Sequence, residues 1–134
     1  MTLVTTDMTA AHAALAAMAY LLVKHAIADF FLQTERQREE KGFYGKAGGV
    51  VHSLIHVALT APVFLLLPPI GAALVAGLLA AEFAVHYHID WAKEQIIRDL
   101  GWTSHDTQFW WALGVDQLLH GLTYVGLLWI VYSA

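Results

Sequence analysis

Four apolar runs alternate with two polar stretches along the chain. A helix rises about 1.5 Å per residue, so roughly 20 apolar residues cross a bilayer core of about 30 Å. On that measure the runs predict membrane spans over about 9–33, 49–67, 70–91 and 108–132. The first is rich in Ala, whose small side chain lets helices approach closely in lipid. Pro68 and Pro69 part the second run from the third with no charged residue nearby, which predicts a tight turn between antiparallel spans. Trp110 and Trp111 stand at one end of the fourth run, and Trp129 and Tyr132 near the other, as interfacial aromatics do. The expected fold class is all-α: a polytopic membrane protein, an antiparallel bundle of four transmembrane helices, with residues 1–134 as a single domain and no internal repeat.

The polar positions inside these runs have their own order. Each run carries ionisable residues four apart: His25 and Asp29; His52 and His56; Glu82, His86 and Asp90; Asp116 and His120. Residues four apart share a helix face, so each set reaches toward one point. In an antiparallel bundle His25, Asp29, His52 and His56 lie about 7–14 Å from the first polar stretch, and Asp116 and His120 about 12–20 Å from the second. His86 and Asp90 come within a few residues of that second stretch. Four helices therefore bring imidazoles and carboxylates to overlapping heights at one end.

Composition sharpens the class. The chain is 58% hydrophobic and 13% charged, against about a quarter charged in ordinary soluble domains, and its mean hydropathy is +0.56. It has no Cys, which excludes disulfides and thiolate metal ligation. A formal net charge of −4 gives no basic face for nucleic acid. The N-terminal stretch lacks a Lys/Arg-bearing leader, so it is expected to stay in the mature protein. Arg36, Arg38, Lys41 and Lys46 lie in the first polar stretch, Lys93 and Arg98 in the second. The positive-inside tendency then puts both stretches in the cytoplasm and both termini outside it. The basic residues set this topology; Arg36, Arg38 and Lys46 are in addition candidates for meeting an anionic headgroup or substrate.

Three chemistries fit the polar positions: a hydrogen-bonded interhelical network, a proton or ion pathway, and a metal site. Mixed imidazole and carboxylate ligation suits zinc, manganese or iron, and helical bundles hold dinuclear centres in this way. The expected ligands are His25, Asp29, His52, His56, His86, Asp90, Asp116 and His120, for one or two divalent ions, zinc first. Glu82, deeper and displaced around its helix, is the candidate general base. His88 faces away from His86 and is expected outside the cluster, His12 and His105 are expected to be solvated, and Lys24 is expected to snorkel toward water. Gln33 and Gln117 are candidate donors to the ligands.

At KHAIADFFLQ, HSLIH, EFAVHYHIDWAK and DQLLH the chain resembles a family of small bacterial membrane proteins catalogued as domain-of-unknown-function 3307, over nearly its whole length. That resemblance implies the bacterial inner membrane and carries no established activity. A fainter similarity, in histidines and aspartates at helical spacing within short hydrophobic spans, is to the membrane-bound metal-dependent hydrolases. Together with the site residues it makes a metal-dependent hydrolase of a lipid-linked or phosphoester substrate the leading functional expectation. A non-catalytic membrane protein stapled by its metal or polar cluster is the alternative, followed by an ion or proton transporter. The almost wholly apolar outer halves of the spans count against transport.

Overall fold

The described residues form five α-helices, four of them long: α1 (Thr2–Ile27), α3 (Ala47–Thr60), α4 (Ala72–Asp99) and α5 (Thr107–Ser133), with the short α2 (Glu35–Glu40) between the first two. The structure is a computed structural model that describes the backbone of residues 2–134 and the side chains from residue 9 onward. The protein is all-helical. Four stretches are long and apolar enough to cross a membrane: Thr9–Leu32, Ala47–Leu65, Ala72–Asp99 and Thr107–Ser133.

Two of the helices change winding before they end. Pro62 lacks the N–H that would continue α3, and the chain tightens into a 3₁₀ turn over Ala61–Leu65 before residues 66–71 reverse its direction. The last turn of the first span, Ala28–Leu32, is π-helical. At the other end of the bundle, α4 runs about two turns past the expected end of the third span at Trp91, so Lys93 lies on a helix and not in a loop.

The long helices close a ring in which α1 packs on α3, α3 on α4, α4 on α5 and α5 on α1. Its outside is apolar: Leu15, Phe31, Leu54, Leu118 and Trp129 are all exposed. Toward the chain termini its inside is apolar as well, with Leu21, Val63, Leu78, Leu127 and Val131 buried together. Toward the α2 end the inside is polar. This inversion is what a lipid-embedded bundle requires, because hydrocarbon solvates Leu and Phe while polar groups must find partners within the protein.

Helix α2 folds back on this polar end. A capping box opens it, in which the Thr34 hydroxyl accepts from the Gln37 backbone N–H and the Gln37 side chain accepts from the Thr34 N–H. The chain then meets the start of α3 at Gly48, where a Cβ would come within 2.7 Å of Glu40 Cβ and 2.9 Å of the Arg36 carbonyl oxygen. Glu40 caps α3 by accepting a hydrogen bond from the Gly48 N–H at 2.6 Å. That bond and the Arg36 guanidinium hold the Glu40 carboxyl below the usual carboxylate range. The glycines here serve close packing, and the packing carries Lys41 into the bundle.

Candidate metal centre

Each long helix delivers its polar pair to the centre of the ring. Asp29 sits in the π turn, a winding frequently found at functional sites. Its Oδ1 lies 3.2 Å from His52 Nε2 and 3.1 Å from His56 Nε2, and its Oδ2 lies 3.2 Å from His25 Nε2. His52 and His56 come from α3, with less than 2% of either residue exposed. From α4, Asp90 Oδ2 stands 3.2 Å from His52 Nε2 and 3.5 Å from His86 Nε2. From α5, His120 Nε2 stands 4.0 Å from Asp90 Oδ1, and Asp116 Oδ2 3.8 Å from His120 Nδ1. The imidazoles crowd one another, with ring centroids 3.9 Å apart for His56 and His86, 4.3 Å for His86 and His120, and 4.8 Å for His25 and His120.

Two groups of ligand atoms emerge, each lying within 4.8 Å of one another: Asp29, His52, His56 and His86 form one, and His86, Asp90 and His120 the other. Ligands about 2.0–2.2 Å from a tetrahedral zinc ion sit roughly 3.3–3.6 Å apart, so the widest-set atoms would close by up to about 1.5 Å to seat an ion. Among the described residues, His25 Nε2, both nitrogens of His86, both oxygens of Asp90, Asp116 Oδ1 and His120 Nε2 are buried and make no hydrogen bond. Polar groups buried without a hydrogen bond are costly in hydrocarbon, and here they have only ionic neighbours at 3.2–4.0 Å. Carboxylate oxygens and unprotonated imidazole nitrogens both offer lone pairs that a cation complements. The His/Asp cluster can hold a metal ion.

The remaining sequence-derived candidates stand around these groups. His25 belongs to neither; its Nδ1 is hydrogen-bonded to the Tyr124 hydroxyl at 2.9 Å, which turns its other nitrogen toward Asp29. Gln117 Nε2 donates to Asp29 Oδ2 and Asp116 Oδ2, both at 3.0 Å, and so joins α1 to α5 through two carboxylates. The Gln33 amide nitrogen lies 3.3 Å from His52 Nε2. Glu82 lies a turn deeper than His86. Its Oε1 accepts from Lys24 Nζ at 3.0 Å and Thr60 Oγ1 at 2.7 Å, and its Oε2 is buried without a partner. His88 is exposed and bonds the Tyr44 hydroxyl, and His12 and His105 are exposed.

Three lysines enter the interior that sequence reasoning left outside it. Lys24 does not snorkel: it is 4% exposed, donating to the His56 carbonyl oxygen and to Glu82. Facing about 100° from His25, it points between α3 and α4 because Glu82 and Thr60 offer partners there. Lys41 is brought in by α2 and lies 3.7 Å from Asp90 Oδ2. Lys93 lies 2.8 Å from Glu94 and 4.0 Å from Asp116. Its position three residues after Asp90, on the same helix face, was the signal available in the sequence; for Lys41 there was none. Asp29, Glu82, Asp90, Asp116 and Glu94 thus face Lys24, Lys41 and Lys93, which leaves two formal negative charges when the imidazoles are neutral.

Of the three candidate substrate cations, Arg36 pairs with Glu40 at the surface and Lys46 is exposed at the start of α3. Arg38 lines a chamber of about 160 Å³ that opens onto Asp29, Glu94 and Asp116, together with Lys41, Lys93 and Gln117.

A family model described as "Protein of unknown function (DUF3307)" matches residues 17–133. No curated protein and no solved structure matches the chain. The resemblance to membrane-bound metal-dependent hydrolases finds no support in these matches.

Proposed function

The chain belongs to the DUF3307 family, whose description carries no activity, and from its site we propose an integral membrane metal-binding protein that hydrolyses a lipid-linked or phosphoester substrate. In this reading residues 1–134 form one four-helix domain of the bacterial inner membrane, with both termini outside the cytoplasm. The observation that carries it is the pair of ligand groups meeting at His86, whose two ring nitrogens are both buried and make no hydrogen bond. Two ions, zinc first and manganese or iron next, suit that donor set. A divalent ion in such a site polarises a phosphoester or carbonyl oxygen and lowers the pKa of a water.

The protein's own residues would do the rest. Asp29, His52, His56, His86, Asp90 and His120 hold the ions, with His25 and Gln117 orienting Asp29. Two carboxylates stand outside the ligand groups and are available to accept a proton. Glu82 has one oxygen engaged by Lys24 and Thr60, whereas Asp116 has Oδ1 free of hydrogen bonds and lines the chamber. We therefore assign the general-base role to Asp116, which the sequence suggests as a ligand, and leave Glu82 the role of anchoring Lys24 beneath the imidazoles.

The test is elemental mass spectrometry of the detergent-purified protein. One or two equivalents of metal are expected, reduced in folded His56→Ala and Asp90→Ala variants and lost in His86→Ala, which breaks both groups. Stoichiometry near zero after metal re-addition would overturn the reading. It would favour the second one, a non-catalytic polar core, which is supported by the three lysines that offset much of the carboxylate charge without any ion.

A further inference from the structure

Between α4 and α5 runs a groove of about 620 Å³, open on the outside of the bundle. Its walls are apolar, among them Val85, Ile96, Trp111, Ala112, Val115 and Leu119, and these belong to two helices long and apolar enough to span the membrane. From Val85 to Ile96 the α4 wall measures about 16 Å at 1.5 Å per residue. That is about half of a hydrocarbon core roughly 30 Å thick, the depth of one leaflet.

The groove is not apolar throughout. Lys93 and Asp116 stand along it, and the same two residues line the 160 Å³ chamber that opens onto Asp29. The apolar groove and the polar chamber are thus neighbours across one lysine and one aspartate. On the chamber side Lys93 is joined by Lys41 and Arg38. Arg38 has no ion-pair partner among the described residues, so its guanidinium is available to a phosphate, with which it pairs through two parallel hydrogen bonds. Loading two divalent ions onto a cluster with two formal negative charges would leave it two positive, and an anionic ligand would then balance the interior.

We propose that a phosphate-bearing membrane lipid enters sideways between α4 and α5, with one hydrocarbon chain in the groove and its phosphate in the chamber at Lys93 and Arg38. The occupant follows from the shape and charge together: a leaflet-deep apolar slot reached from the bilayer, continuous with a small polar pocket in which Arg38, Lys41 and Lys93 stand beside Asp29, Glu94 and Asp116 and Arg38 alone of the three cations has no ion-pair partner among the described residues. A water-soluble phosphoester would have no use for the slot, and a neutral lipid none for the cations. As the substrate-binding part of the same site, the proposal rests on the hydrolase reading for its catalytic meaning; the binding itself does not.

The experiment is photo-crosslinking in nanodiscs with phosphatidic acid carrying a diazirine on one acyl chain, mapped by peptide mass spectrometry, with metal content measured on the same preparation. Labelling is expected to concentrate on Ile96, Val115 and Leu119 over the exposed apolar face of α1 at Leu15 and Val23. It should drop at least five-fold in Ala112→Phe, which fills the groove, and in Lys93→Gln, and excess unlabelled phosphatidic acid should compete where phosphatidylcholine does not. Labelling spread evenly over all exposed apolar faces of the wild type would overturn the proposal, whether or not the variants fold. Concentrated labelling on a protein that binds no metal would uphold lipid binding and sink the hydrolase reading; metal with evenly spread labelling would do the reverse.

Discussion

Lys24 and Glu82 meet at 3.0 Å with 4% and 1% of their side chains exposed, beyond reach of water from either end of the bundle. Removing one partner of such a buried pair leaves an uncompensated charge, at a cost of about 3–5 kcal/mol. Lys24→Met is expected to destabilise the protein by that amount, read as a lowered melting temperature in detergent. Lys24→Met combined with Glu82→Leu is expected to recover most of it, because the double change removes both charges. If the double variant proves no more stable than the single one, the pair is not the source of the effect. The case also shows where residue-level reading stops. The sequence places Lys24 one residue from a ligand candidate, and only the positions of Glu82, Thr60 and the His56 carbonyl decide that its ammonium turns inward.

Helix α2 shows how an element outside the membrane spans can shape the site within them. Its packing on α3 depends on Gly48 having no side chain, and it positions Lys41 beside Asp90. Gly48→Ala is expected to cost about 1–3 kcal/mol through overpacking and to displace Lys41, detectable as faster hydrogen exchange through α2. The Glu40 cap on α3 adds a pH dependence whose sign is set by its depressed carboxyl. A depressed carboxyl stabilises fully above its unfolded value, about 4.3 for glutamate, and loses that contribution as pH falls through the folded value. Exchange of the Gly48 amide should therefore speed up on acidification below about pH 4, relative to amides elsewhere at the same pH, and the dependence should vanish in Glu40→Gln. The sequence offers the capping residues of α2 and the glycines of AGG, but not their meeting, which requires α2 to fold back.

At the scale of the whole molecule, the absence of Cys makes orientation directly measurable. Single Ser104→Cys and Ser133→Cys proteins should react oppositely with a membrane-impermeant maleimide in intact cells, with Ser133→Cys labelled and Ser104→Cys protected; the reverse pattern would invert the proposed topology. Apolar run length and four-residue polar spacing determine, without any structure, that the chain is helical, that four helices can span a bilayer, and which face of each carries the imidazoles and carboxylates. Both signals are local, set by the rise and period of a single helix. Tertiary packing alone decides the rest: that the eight candidate ligands divide into two groups sharing His86 with His25 and Asp116 outside both, that a π turn presents Asp29 to α3, and that three lysines enter the interior. Those outcomes depend on distances between helices, and spacing within one helix carries no information about its neighbour's depth or rotation.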